Sequence, residues 1–135
     1  MTIKDFFKKD MFAMEAGVEL LEVGNGYACA RMKILPGHLN GAGVCQGGAI
    51  FTLADLAFAA ATNSHARLTF SIQANIQFFK SESRGYLYAE AKEIFNRGKL
   101  ASAEVRITNE AGELIAMFGS MGYHKDASLP FDPVE

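Results

Sequence analysis

Residues 43–63 read GVCQGGAIFTLADLAFAAATN, and one position in them constrains the fold more than any other: Asp55, a lone acid inside an apolar run. The stretch from Ala49 to Ala61 is thirteen residues long, short of the roughly twenty needed to cross a bilayer. It also carries Thr52 and Asp55, so it is expected to be a buried helix and not a membrane span. Ala and Leu are strong helix formers, two glycines open the run, and Thr62, Asn63 and Ser64 follow it. The helix is therefore placed from about Gly47 to about Asn63, a length of roughly 25 Å.

A chain of 135 residues is one ordinary domain, so the rest of it must cover this helix. Val18 to Leu35 reads as two strands, ELLEV and YACARMKI, joined by the turn Gly24-Asn25-Gly26. Strand-like runs follow at Thr69–Phe79, Tyr86–Asn96, Leu100–Thr108 and Glu113–Tyr123. In the third of these, Ala101, Val105 and Ile107 alternate with Ser102, Glu104, Arg106 and Thr108, the period of a half-buried antiparallel strand. Hairpin turns are expected at Asn96–Lys99 and Asn109–Gly112. Ahead of the strands, Thr2 and Asp5 form a weak capping pair, and Ile3, Phe7, Met11 and Met14 are spaced for one face of a first helix that stops at Gly17. The expected architecture is α+β: one antiparallel sheet wrapped around a long central helix. The domain is assigned to residues 1–125, and 126–135, with two prolines, to an extended or disordered tail.

Fifteen acids against thirteen bases give a formal charge of −2, which leaves no global basic field for nucleic acid or an anionic membrane. Cys29 and Cys45 have neither zinc spacing nor the density of a disulfide framework, no metal site is expected, and the N-terminus MTIKDFFKKDM has no secretory pattern. A cytoplasmic protein is expected.

The chemistry concentrates around the glycine-rich stretch GHLNGAGVCQGG. A helix N-terminus offers unpaired N–H groups and partial positive charge to an anion or a developing oxyanion, and Gly47 lets a ligand approach; glycine needed only for packing is the plain alternative. A carboxylate such as Asp55 is costly in an apolar helix unless it is paired or faces a wet cavity. Asn40 either donates to a substrate carbonyl or fixes a turn. Cys45 with His38 as base is a lesser nucleophilic alternative, and His65 and His124 are expected at the surface. Arg97 and Lys99 flank Gly98 at a hairpin tip and Lys80 and Arg84 lie in the preceding turn, where phosphates can bind; an ordinary solvated turn is the plain alternative.

Asn40-Gly41, Gln46-Gly47-Gly48, Phe51, Leu53-Ala54-Asp55, Ala57 and Asn63-Ser64 together resemble the phenylacetyl-CoA-type acyl-CoA thioesterases of the hotdog-fold superfamily that also holds 4-hydroxybenzoyl-CoA thioesterases. The resemblance runs from the first helix to Tyr123. It implies a homodimer, usually paired into a tetramer, that hydrolyses an acyl-CoA thioester at the subunit interface with no metal or cofactor beyond the coenzyme A of the substrate. It implies Asp55 as general base or nucleophile, the Gly47 N–H (beside Gly48) polarising the carbonyl, Asn40 orienting the substrate and Ser71 assisting the attacking water. Gln46 departs from the family, which usually has histidine there. A glutamine amide can donate a hydrogen bond but cannot become cationic, which keeps a second reading open: an acyl-CoA-binding sensor or carrier without turnover.

Overall fold

The computed structural model describes residues 1–135. Its strands are β1 (Val18–Gly24), β2 (Tyr27–Lys33), β3 (Arg67–Phe78), β4 (Tyr86–Arg97), β5 (Leu100–Asn109) and β6 (Leu114–Ser128). They form one antiparallel sheet in the order β1-β2-β4-β5-β6-β3. Four short helical segments and turns aside, the only long helix is α3 (Gly47–Thr62), as the apolar run predicts. The hotdog arrangement of a sheet curled around one central helix is the observed fold.

The inner face of the sheet explains how the helix fits. Ala28, Ala91, Val105 and Phe118 stand in register across β2, β4, β5 and β6, and the next row is Ala30, Ala89, Ile107 and Ala116. Alanine at these central positions lets α3 lie close to the strands, while Phe118 fills the widening gap by stacking edge-on against Phe51 and packing on Phe58. The helix answers with Ile50, Leu53, Ala54, Leu56, Ala57 and Phe58, all buried. Bulges at Leu20/Glu22, Ser71/Gln73 and Glu93/Phe95 add the local twist that curls the sheet.

The N-terminal segment departs from the expected single helix. It forms two short helices, α1 (Ile3–Phe7) and α2 (Met11–Glu15), because Asp10 accepts a hydrogen bond from the Ala13 N–H and caps a new helix in a new direction. The Thr2–Asp5 capping box is formed as expected, but Met11 is exposed and does not continue the Ile3–Phe7 face. At the other end, β6 runs to Ser128, and the last residues fold back: Leu129 N–H donates to Ala66 O, Val134 N–H donates to Ser64 O, and Phe131 packs near Phe6. No helix is long and apolar enough to cross a membrane.

Candidate active site

The site is built on the start of α3. Gln46 is the N-cap: its Oε1 accepts the Gly48 N–H at 2.7 Å, and its Nε2 has no partner within the chain. As the first helical residue, Gly47 has no acceptor for its N–H inside the helix and makes no hydrogen bond outside it. One unpaired backbone donor and one unpaired amide donor thus stand side by side at the positive end of the helix. Both glycines leave little room beside their neighbours' side chains. A Cβ on Gly47 would sit 3.0 Å from the Phe78 ring, and one on Gly48 would sit 2.5 Å from the capping Oε1. Replacing the cap by Ala is expected to lower stability by about 1 kcal/mol, read as a lower denaturant midpoint with an unchanged slope.

The loop before the helix is pinned from three sides: Gln46 N–H donates to His38 O, Cys45 N–H to Glu82 O, and Asn40 N–H to Val44 O. Asn40 Oδ1 accepts from the Ala42 and Val44 N–H groups, which makes it a turn residue, yet its Nδ2 makes no bond within the chain. His38 has no role as a base. Its Nδ1 accepts from the Leu35 N–H and its Nε2–H donates to Ala16 O, so both ring nitrogens are engaged. Cys45 is buried, and burial pushes its thiol pKa up. The Cys45–His38 nucleophile is thereby removed.

Asp55 lies two turns along α3. Gly48, Thr52, Asp55 and Ala59 follow one another at spacings of four, three and four residues, so they form one stripe. This stripe is the part of the helix that the sheet leaves incompletely covered. Asp55 has no hydrogen-bond or ion-pair partner within the chain; desolvation, and then the carboxylate of Asp10 at the α2 cap, push its pKa up. It is poised as an acid that holds its proton more tightly than an ordinary aspartate.

The remaining sequence-predicted residues are dispersed within one chain. Ser71 is exposed on β3 at the bulge, its hydroxyl 2.6 Å from that of Ser120. Arg97, Gly98 and Lys99 form the β4–β5 hairpin tip, with Gly98 at φ +63°. Lys99 pairs with Asp126 at 3.5 Å and lies over the Tyr123 ring, while Arg97 is exposed with no acidic partner. This hairpin is far from the Gly47 of its own chain. The chain leading into β4 adjoins the helix start where Glu82 O accepts the Cys45 N–H, and the twelve residues of β4 then carry it roughly 35 Å away, so Lys80 and Arg84, ahead of β4, lie at the opposite end of that strand from the hairpin.

The two later histidines correct the sequence reading. His124 is 2% exposed: its Nδ1 lies 2.6 Å from Thr69 Oγ1 and its Nε2 2.9 Å from Asn96 Oδ1, and burial pushes its pKa down. His65 is half-buried against Glu93, which also accepts from Asn96. This polar chain ties the hairpin to the end of α3. Asn63 belongs to the same end and is structural, with its amide bonded to Ala59 O, Thr69 O and Thr69 N–H. Nothing in the local sequence pairs these residues; only the register Thr69↔His124 does. No group of three or more His, Cys, Asp or Glu side chains converges to hold a metal ion.

The model of the thioesterase superfamily matches residues 42–116, from just before the helix cap to the β6 row that faces the helix. The chain belongs to that superfamily. It is 39% identical over 130 residues to an Archaeoglobus fulgidus protein whose name assigns it to the esterases, covering 95% of this chain and 84% of the relative. It is 27% identical over 113 residues to the acyl-coenzyme A thioesterase PaaI of Escherichia coli, covering 83% and 81% of the two chains. The solved structure of that E. coli PaaI superimposes with a TM-score of 0.89 at 25% identity, over 93% of this chain and 91% of the other. The family resemblance read from Asn40 to Ser64 and the sheet-around-helix fold are both upheld, and the chain is a hotdog-fold thioesterase of the PaaI type.

Proposed function

We propose that the protein is an acyl-CoA thioesterase that hydrolyses an acyl- or arylacyl-CoA to the free acid and CoA, with each site shared by two chains. The observation that carries this reading is the unpartnered Asp55 on the incompletely covered stripe of a helix whose own start presents the free Gly47 N–H. The E. coli relative named as an acyl-coenzyme A thioesterase supports the substrate class. The thioester oxygen accepts from the Gly47 N–H and, in place of the family histidine, from the free Nε2 of Gln46. Asp55 takes a proton from water as its oxygen attacks the carbonyl carbon, or attacks that carbon itself to give an anhydride that water then opens; in either route the C–S bond breaks and CoA leaves as the thiol after taking up a proton. Asn40 Nδ2 and the Ser71 hydroxyl orient the substrate and the water.

An open sheet edge supports a second copy. β3 is an open edge twelve residues long, and Phe70, Ile72 and Phe78 on it are at least half exposed. Such an edge invites antiparallel pairing with its own copy, which sets two α3 helices side by side. Because the hairpin lies at the opposite end from Gly47, a two-fold dimer carries Arg97 and Lys99 of one chain toward the helix start of the other, where the phosphates of CoA need cations. The outer sheet face presents Phe95, Leu100 and Phe70, with Leu100, Tyr123 and Phe70 in register, for pairing of dimers.

The test is thiol release from a panel of acyl-CoAs set beside thermal stabilisation by CoA. Stabilisation without release from any thioester would instead establish the sensor or carrier, the reading that Gln46 favours by lacking a titratable group. Two further outcomes are expected. Arg97→Ala with Lys99→Ala raises KM in a salt-dependent way at nearly constant kcat, with Arg97 the larger contributor because Asp126 already neutralises Lys99. Gln46→His adds a second ionisation to the pH profile of kcat/KM.

A further inference from the structure

A cleft of about 450 Å³ opens between α2 and the start of α3, walled by Phe12, Leu39 and Ala16 and floored by Ala49, with Gln46, Gly48 and Thr52 along its inner side. Resting on the thioesterase reading above, we infer that this cleft is the acyl pocket, that it takes an uncharged apolar acyl group, and that Phe12 and Leu39 set its selectivity. Three observations carry it.

The first is position. The cleft ends on the capping amide of Gln46, one of the two donors proposed for the thioester oxygen, and on Gly48, the residue after the other, and Thr52 continues its inner side along the stripe. An acyl chain attached at that carbonyl can enter it directly. The second is unexplained apolar exposure. Phe12 is 75% exposed although it sits on a helix packed against the core, and Leu39 across the cleft is also exposed. Two exposed apolar walls facing one cavity are what a ligand's apolar group covers.

The third is charge. No lysine or arginine lines the cleft, and its one ionisable residue, His38, has both ring nitrogens spent in tying the loop to Leu35 and Ala16. Asp10, which caps α2, lies close enough to Asp55 for its charge to push that carboxyl's pKa up, so two acids stand near one another on this side. A carboxylate on the distal end of the acyl group would be desolvated there with no cation to meet it. The wall is also held in place: the His38–Ala16 bond at 2.8 Å fixes the end of α2 to the loop, so the pocket is preformed.

The chain has no tryptophan, which allows a readout independent of turnover. In Phe12→Trp, the single indole is expected to shift its emission when a non-hydrolysable thioether analogue of phenylacetyl-CoA is added, and not when CoA alone is added. In steady-state assays, Phe12→Ala and Leu39→Ala are each expected to lower the ratio of kcat/KM for phenylacetyl-CoA to that for acetyl-CoA by roughly tenfold, the scale of one lost apolar contact in a specificity pocket. Wild-type protein should prefer hexanoyl-CoA to glutaryl-CoA by about a hundredfold or more. An indole that stays silent while thermal shift shows the analogue bound, or an unchanged substrate ratio in both alanine variants, overturns the assignment of the pocket and leaves the thioesterase reading standing. An indole that responds in a protein that releases no thiol keeps the pocket and overturns turnover.

Discussion

Asp55→Asn is expected to lower kcat/KM for thioester hydrolysis by at least about a hundredfold, the usual scale for a lost acid–base group, while making the folded protein no less stable, and at neutral pH more stable. Both halves come from the same carboxylate. It has no partner within the chain, and desolvation followed by the Asp10 charge pushes its pKa above the ordinary aspartate value. A group whose folded pKa is raised binds its proton more tightly in the folded state, so stability falls as pH rises from the unfolded pKa through the folded one, and the full penalty is present above the folded pKa. The amide removes the charge and with it the penalty. The stability gain of Asp55→Asn should therefore be complete at neutral pH and disappear below the unfolded pKa, as thermal or denaturant unfolding across that window would show. The activity profile has the opposite sense. The acid limb of kcat/KM should rise with pH as Asp55 loses its proton, at a value above the ordinary aspartate range, and should move in Asp55→Glu. A variant that keeps most of its activity, or a limb that survives in Asp55→Asn, would remove Asp55 from the chemistry.

This opposition of stability and activity is what made Asp55 visible in the sequence, since a lone acid in an apolar run has a cost that packing alone does not offset. The helix and the strands were legible for a related reason: their periods of 3.6 and 2 repeat what the core requires, and alanine-rich strands betray a helix lying on them. The break at Asp10 was less legible, because Ile3, Phe7, Met11 and Met14 mimic one helical face and only the Asp10–Ala13 cap shows that they do not share it. The burial of His124 was not legible at all. Its partners Thr69 and Asn96 are 55 and 28 residues away and meet it through strand register. Cys45 and His38 looked like a reactive pair because they are close in sequence; their hydrogen bonds and burial assign both to the scaffold of the loop. The α2 cleft was hidden for the reason the helix break was: its wall exists only because the chain turns at Asp10.

Coexpression of Asp55→Asn with Gly47→Pro is expected to restore roughly a quarter of wild-type sites although each variant alone is inactive. The expectation follows from helix geometry. Asp55 is eight residues beyond Gly47, or roughly 12 Å along the axis of α3, whereas one reacting carbon needs both groups within about 3 Å. A single helix cannot supply both, and no fold-back in the chain brings its Asp55 to its own helix start. Two α3 helices set antiparallel about a two-fold axis do so, with Asp55 of one chain facing Gly47 of the other. The structure also makes Gly47→Pro a clean variant. Gly47 is the first helical residue, its N–H donates to nothing within the chain, and Gln46 before it already has φ −65° and ψ 138°, the backbone region that a following proline requires. The added ring would approach Phe78, but that side chain is half exposed and has room to move. Of randomly paired dimers, half are mixed, and in each mixed dimer one site carries both lesions while the other pairs an intact Asp55 with an intact Gly47. A site contained in one chain predicts no recovery at any ratio of the two variants. Absence of recovery in preparations where tagged mixed dimers have been isolated would overturn the shared site, and with it the reason for the exposed edge of β3 and for the distance between the Arg97–Lys99 hairpin and the helix start.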